Sequence, residues 1–372
     1  MTKLLKKTIG TDPINTGRQI EVDIAKGLAI IFMVWCHCFI MLTPNEWNTP
    51  ILIVDGILGG PFAAPVFMFC VGIGVCYSKK NTPKDCLKRG LILLGLGLLL
   101  NVFRSILPDF IRYLITGSTH FLYDSIYYSV LSVDILQFAG LAFLFISLCK
   151  KLKFNNYVLF VIAIAFSLLG TYLRRAHTGH DIIDGLLGYL WGSNPETFFP
   201  FLNWIIFPVF GMIFGSFLIR CKDKCKLYLL SSTVSGFLLV IYMIFILPDK
   251  QWHSVDAYYY FLDTVDAVAF TFLTIACLGI YYALSQILKR VSFKTLSRFS
   301  KHITAIYCIH WTILGNLTLV LRFILRMYEL QFWQVTLIAA LLLGISDLIA
   351  IFYYKKLKRK FARKSSTNAK VQ

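Results

Sequence analysis

Charge is scarce in this chain. Only 15% of its 372 residues are Asp, Glu, Lys or Arg, against roughly a quarter in a soluble domain, while 57% are apolar. Runs such as Gly27 to Leu42, Gly90 to Val102 and Val158 to Gly170 hold no charge at all. Each, with its flanks, reaches the roughly 20 residues that cross a bilayer core, which excludes an ordinary water-soluble fold. A small-residue cleavage pattern is also missing: the first apolar run is followed by Thr43, Pro44 and Asn45. It reads as a retained anchor and not as a removable signal peptide. There is no internal repeat, no low-complexity linker and no loop long enough for a soluble domain. The expected organisation is one membrane-embedded domain, 21–355, between a mobile cytoplasmic tail at 1–20 and a basic cytoplasmic tail at 356–372.

Acidic residues are the scarcer sign, 19 against 37 Lys and Arg, for a net charge of +18. The basic residues punctuate apolar runs and form no stripe on one face, so a nucleic-acid partner is not expected. They set orientation instead. With spans near 24–43, 60–78, 90–107, 128–148, 155–173, 200–219, 227–247, 263–288, 302–321 and 333–354, alternate loops fall on alternate sides. One side then holds only Arg104, Arg112, Arg174, Arg175, Lys250, Arg322 and Arg326, leaving 30 of the 37 cations on the other. That division puts the basic side, with both termini, in the cytoplasm, which requires an even number of spans. The fold class is therefore an all-α polytopic membrane protein of about ten helices. None of the ten cysteines falls in an outer loop on this topology, so no disulfide framework is expected. Cys221 and Cys225 lack a second ligand pair, and no metal is expected.

The longest connections, 44–59, 108–127, 174–199 and 248–262, lie outside and are rich in Trp, Tyr, His and Asp. Such loops can hold a polar acceptor, although an interfacial aromatic belt explains most of the rings. Ionisable groups inside spans are costly and tend to be functional. His37 lies 13 residues after Ile24, about 20 Å up the first helix and so in the outer half. Arg104 sits at a similar depth in the third span, and Asp134 near the outer end of the fourth, with Gln137 on its face. His310 and Asp347 fall near the midplane of the last two spans. Each has a bland alternative: a lone histidine often only bridges two helices, and Arg104 and Asp134 are candidates to pair with one another.

The text before His37 is more specific. It reads Asp23-Ile-Ala-Lys26-Gly27, then an apolar run to His37, eleven residues after Lys26. This resembles the first helix of the transmembrane acyltransferase superfamily, whose acyltransferase-3 branch has Arg, ten residues, His; here Lys26 stands for the Arg. Ala64-Pro65-Val66-Phe67-Met68-Phe69-Cys70-Val71-Gly72 and Lys88-Arg89-Gly90 look like the second and third helices of the heparan-alpha-glucosaminide N-acetyltransferase-like branch. Ser132-Val133-Asp134-Ile135-Leu136-Gln137 and Thr197-Phe198-Phe199-Pro200, with Gly211 and Gly215, are similar to later segments of that branch, and Ser300 to His310 looks more like acyltransferase-3. The position of His37 is an Asn in the animal lysosomal enzymes, so its assignment follows the bacterial and acyltransferase-3 pattern.

The resemblance implies transfer of an acyl group, acetyl before others, from cytoplasmic acyl-CoA to a hydroxyl or amine of a glycan, lipid-linked sugar or other small polar acceptor outside. Acetyl-CoA would be a donor substrate; the expected setting is a bacterial plasma membrane, with lipids as partners and a homodimer left open. His37 would act as general base or take the acyl group covalently, with His310 next in line. Arg104, or a backbone N–H near Gly59, Gly60 and Pro61, would stabilise the oxyanion, and Asp134 would pair with Arg104. Lys26, Lys88 and Arg89 would meet the donor's phosphates. The rival from another class is a proton-coupled secondary transporter using Asp134, His310 and Asp347, opposed by the lack of paired half-chain repeats. A non-catalytic scaffold is a third reading, weakened by so many buried ionisable groups.

Overall fold

A computed structural model describes residues 8–43, 53–117, 119, 129–174, 176–194, 196–249, 259–327 and 330–368. Residues 1–7 of the N-terminal tail and much of the outer connections, including 44–52, 120–128 and 250–258, lie outside the described residues. The chain is all-helical: α1 (Ile20–Leu42), a π-helical segment (Ile53–Gly59) leading into α2 (Ala64–Tyr77), α3 (Pro83–Thr116), α4 (Ile135–Lys151), α5 (Asn156–Leu173), α6 (Asp181–Trp191), α7 (Phe201–Leu218), α8 (Lys224–Phe245), α9 (Thr264–Ile287), α10 (Lys294–Leu319) and α11 (Phe332–Asn368). Among the described residues nine helices are long and apolar enough to cross a membrane. The expected fourth span starts later than 128 and is α4, 17 residues or about 25 Å long, packed beside α3.

Helix starts are written locally. Thr82 and Asp85 form a capping box at the head of α3, with Pro83 at its first position, where the missing N–H is no loss. Asn155, Asp223 and Asp263 cap α5, α8 and α9 by accepting from the amide three residues on. Once started, the helices turn apolar side chains outward as well as inward: Leu91, Leu168, Phe237 and Phe352 are each more than half exposed. That surface suits lipid and not water.

Inside, small residues bring helices close. A Cβ on Gly211 of α7 would meet the Phe69 carbonyl oxygen at 1.9 Å, so α7 and α2 touch along their backbones, as packing in lipid favours. At the basic end, Asp23 ties α1 to α10: it is paired with Arg18 and accepts from Ser300 Oγ at 2.7 Å. Glu21, fully buried, accepts from Tyr228 OH and pairs with Lys224 at 2.7 Å, tying α1 to α8. The tails differ from the free segments expected. Residues 8–15 bond to the α7–α8 turn, with Lys222 N–H donating to the Thr8 carbonyl and Gly10 N–H to the Arg220 carbonyl, both at 2.8 Å. The basic C-terminal stretch continues α11 as helix to Asn368. All ten cysteines are free.

Candidate active site

A narrow cleft runs between α1, the π-helical segment, α2 and α10. On α1 it is lined by Ala29, Ile30, Met33, Cys36 and His37, a stretch of about 12 Å at helical rise. Its opposite wall is Ile303, Thr304 and Tyr307 of α10. Its outer rim holds Asp134, Phe199, Tyr259 and Tyr260, fixed where Tyr259 OH donates to the Gly60 carbonyl at 2.9 Å and Trp204 Nε1–H to the Tyr260 carbonyl at 2.7 Å. Most of the lining is apolar, so the few polar groups are conspicuous.

Those groups converge. His37 Nδ1 lies 2.9 Å from His310 Nε2, with the rings 9° from coplanar. His310, fully buried, has its Nδ1 3.0 Å from the Ile306 carbonyl oxygen. A carbonyl only accepts, so that nitrogen carries the proton and His310 Nε2 offers a lone pair. His37 Nδ1–H then donates to it, which leaves His37 Nε2 as a bare lone pair on a residue that faces the cleft. The tautomers follow from the hydrogen bonds alone.

Around the histidines lies a second layer. Trp311 packs against the His37 ring at 4.2 Å between centroids, and the Arg104 guanidinium covers Trp311 at 4.9 Å. Arg104 is also ion-paired with Asp134, both side chains only 8% exposed. Arg104 reaches inward because it rides on a π-helical turn, Val102–Ile106, of the kind that re-aims side chains at functional positions. Close approach is possible only at Gly315 of α10, where a Cβ would meet the Arg104 carbonyl oxygen at 2.2 Å. Asp134 is the N-cap of α4: its Oδ1 accepts from Ile135 N–H at 2.6 Å, and Gln137 Oε1 accepts from the Asp134 N–H at 3.3 Å. Near Arg104, burial holds the Glu196 carboxyl above its ordinary range, with the Arg104 charge pulling the other way.

A model of the acyltransferase-3 family, described as an acyltransferase domain, matches residues 19–351. The chain belongs to that family. In this membrane acyltransferase the match runs from the head of α1 to α11, so the cleft and the histidine pair lie inside the matched region. No curated protein matches the chain.

The structure of this acyltransferase gathers His37, His310, Arg104 and Asp134 into one constellation. His310 was expected near the midplane and His37 farther out; instead they are in contact, because α10 begins at Lys294 and not near 302. His310 then lies 16 residues up α10 and His37 17 up α1, about 24 and 25 Å. Lys26, half-buried, stands three turns below His37 on the same face of α1, beneath the cleft. Lys88 and Arg89 do not join it. They are exposed on α3, which packs chiefly on α4, and the Arg89 guanidinium lies 4.5 Å above the Phe143 ring. Asp347 does not line the cleft: it takes Arg298 through Nε at 2.9 Å and Nη2 at 2.8 Å. Sequence reasoning missed Tyr307 and Trp311. Tyr307 lines the cleft, with its hydroxyl buried beside the Asp134 carboxylate and Trp311. Their only sequence signal is adjacency to His310 on one helix, which an aromatic-rich chain does not single out.

Proposed function

We propose that this acyltransferase moves an acyl group, acetyl before others, from acyl-CoA held at the basic side to a hydroxyl or amine of a glycan or other small polar acceptor presented from the opposite side. The observation that carries the reading is His37: its Nδ1 proton is committed to His310, its Nε2 lone pair is bare, and it stands at the head of a narrow apolar cleft above Lys26. In this scheme the acceptor oxygen or nitrogen attacks the thioester carbonyl while His37 Nε2 takes its proton, and the carbonyl oxygen becomes the tetrahedral oxyanion. The Tyr307 hydroxyl, in the cleft wall beside Asp134, is a neutral donor suited to that oxyanion. Collapse breaks the carbon–sulfur bond, and the His37 imidazolium returns its proton to the leaving thiolate, giving acylated acceptor and free CoA. His310 positions His37 and spreads the imidazolium charge; Arg104 and Asp134 brace the wall behind Trp311.

Lys26 suits the role of a point charge for a phosphate, without the bidentate reach of the Arg in the family pattern. The likeness of the second and third helices to the heparan-alpha-glucosaminide branch favours acetyl as the acyl group and a sugar as acceptor. A proton-coupled transporter is less well supported, because Asp134 and Asp347 are each engaged by a guanidinium. The test is free-thiol release from acetyl-CoA by the purified protein in lipid, against a panel of amino sugars, hydroxy sugars and lipid-linked sugars. Acceptor-dependent thiol release supports the reading; donor that stays intact with every acceptor opposes it.

A further inference from the structure

A second concavity lies at the basic end of the bundle, apart from the cleft and used by nothing in the mechanism above. It opens between the segment entering α1 and the first turns of α10, and is lined by Arg18, Lys294, Ser297, Arg298, Lys301 and His302, with Ile20 and Phe293 as its apolar floor. Lys294, Arg298, Lys301 and His302 fall at i, i+4, i+7 and i+8, so one face of α10 presents all four. Basic residues at the inner end of a span need no ligand to explain them. Three further features do not follow from orientation.

The two arginines are held in place. Arg18 is paired with Asp23 and donates from Nη2 to the Ser297 carbonyl at 3.0 Å, while Arg298 grips Asp347. Their charges are thereby matched, and the excess charge of the basin belongs to Lys294 and Lys301, both exposed and, among the described residues, without a carboxylate partner. The head of α10, a 26-residue helix, has no side-chain cap: Phe293 occupies the N-cap position, so no side chain takes up the first-turn N–H groups. Last, His302 is 7% exposed and forms part of the basin wall, its ring stacked on Tyr354 at 4.6 Å, yet its Nδ1 is buried with no hydrogen-bond partner. A buried imidazole nitrogen without a partner is expensive unless a ligand supplies one.

We infer that this basin binds a phosphate group, with Lys294, Lys301, the uncapped amides of α10 and His302 as its donors. Free helix N–H groups, two point charges and an imidazole N–H form a donor set that a tetrahedral oxyanion satisfies and a carboxylate fills less completely. Two ligands carry that group at this face. One is the nucleotide end of the acyl-CoA donor, which rests on the function proposed above: Arg298 lies about 18 Å below His310 along α10, comparable with the reach of an extended pantetheine arm. The other is the headgroup of an anionic phospholipid of the inner leaflet.

The experiment uses the full-length protein in nanodiscs, comparing wild type with Lys294→Gln/Lys301→Gln, with His302→Gln, and with Lys150→Gln/Lys151→Gln as a control on the same side. Binding is measured for coenzyme A, dephospho-coenzyme A and pantetheine, and native mass spectrometry counts retained phosphatidylglycerol against phosphatidylcholine. The lysine pair variant is expected to lose at least about tenfold in affinity for one phosphate-bearing probe, with His302→Gln losing a smaller factor and the control unchanged. Loss confined to coenzyme A assigns the basin to the donor, and loss confined to phosphatidylglycerol assigns it to a lipid headgroup. Unchanged affinity for both, or an equal loss in the Lys150→Gln/Lys151→Gln control, overturns the site. A protein that binds phosphatidylglycerol through this basin but never releases thiol from acyl-CoA would sink the proposed function and leave the phosphate site intact.

Discussion

Removing both members of the Arg104–Asp134 pair should cost little more than removing either one alone. Each side chain is 8% exposed, so a lone survivor is a buried charge without its partner, at a cost of about 3–5 kcal/mol. Asp134 has a second duty, since its Oδ1 caps α4 through Ile135 N–H. Asp134→Asn keeps an oxygen for that cap and removes only the charge, whereas Asp134→Ala should lose about 1 kcal/mol more. Arg104→Met keeps most of the side-chain volume and gives up the buried contact over Trp311, worth about 2 kcal/mol. The double variant Arg104→Met/Asp134→Asn buries no unmatched charge, so its stability should lie within about 1 kcal/mol of the better single variant, a coupling of about 3 kcal/mol or more. Thermal melts in a fixed detergent give the stabilities, and thiol release gives the same cycle for activity. If the effects of the two single substitutions add to within about 0.5 kcal/mol, the pair is not a coupled unit and the bracing account fails.

Three further outcomes are expected. Tyr307→Phe should lower turnover about 100-fold with little change in donor affinity, since it removes one hydrogen-bond donor and no packing; an unchanged turnover would take Tyr307 out of the oxyanion site. Gly315→Ala should push the Arg104 backbone away from α10, lowering stability by about 1–3 kcal/mol and activity with it, as read from melts and thiol release; a variant as stable as wild type would mean that the contact at 2.2 Å relaxes freely. Lys26→Ala should weaken coenzyme A binding while Lys26→Arg preserves or improves it, and titration calorimetry that finds no change in the alanine variant would reduce Lys26 to an orienting charge.

Much of this was legible in the chain, and the failures have physical causes. The helices are readable because uncharged runs of bilayer length have one sensible conformation in lipid. His37 stands out as an ionisable group inside such a run, and Arg104 and Asp134 can be matched as partners by depth. Depth itself is where the reading slipped. Lys294, Arg298 and Lys301 look like loop residues because they are charged, yet α10 extends through them into the headgroup region, which moves His310 two turns outward relative to the expected span and brings it to His37. Tyr128 to Leu131 read as the start of a span, whereas Asp134-Ile135-Leu136-Gln137 is a capping box and marks the true start of α4. Lys88 and Arg89 were attractive as donor ligands because they lie on the basic side, but side does not determine which helices adjoin. The tautomers of the histidine pair depend on one backbone carbonyl, Ile306, whose direction no sequence pattern reports.

The central claim is that His37 Nε2 carries the proton in an acyl transfer. Single-turnover thiol release from acetyl-CoA, measured for wild type and His37→Ala at matched donor occupancy with a productive acceptor, tests it most directly. The account predicts that His37→Ala binds coenzyme A within a few fold of wild type, melts at a similar temperature, and loses transfer by at least about 100-fold. A folded, donor-loaded His37→Ala protein that still transfers the acyl group at near wild-type rate would contradict it.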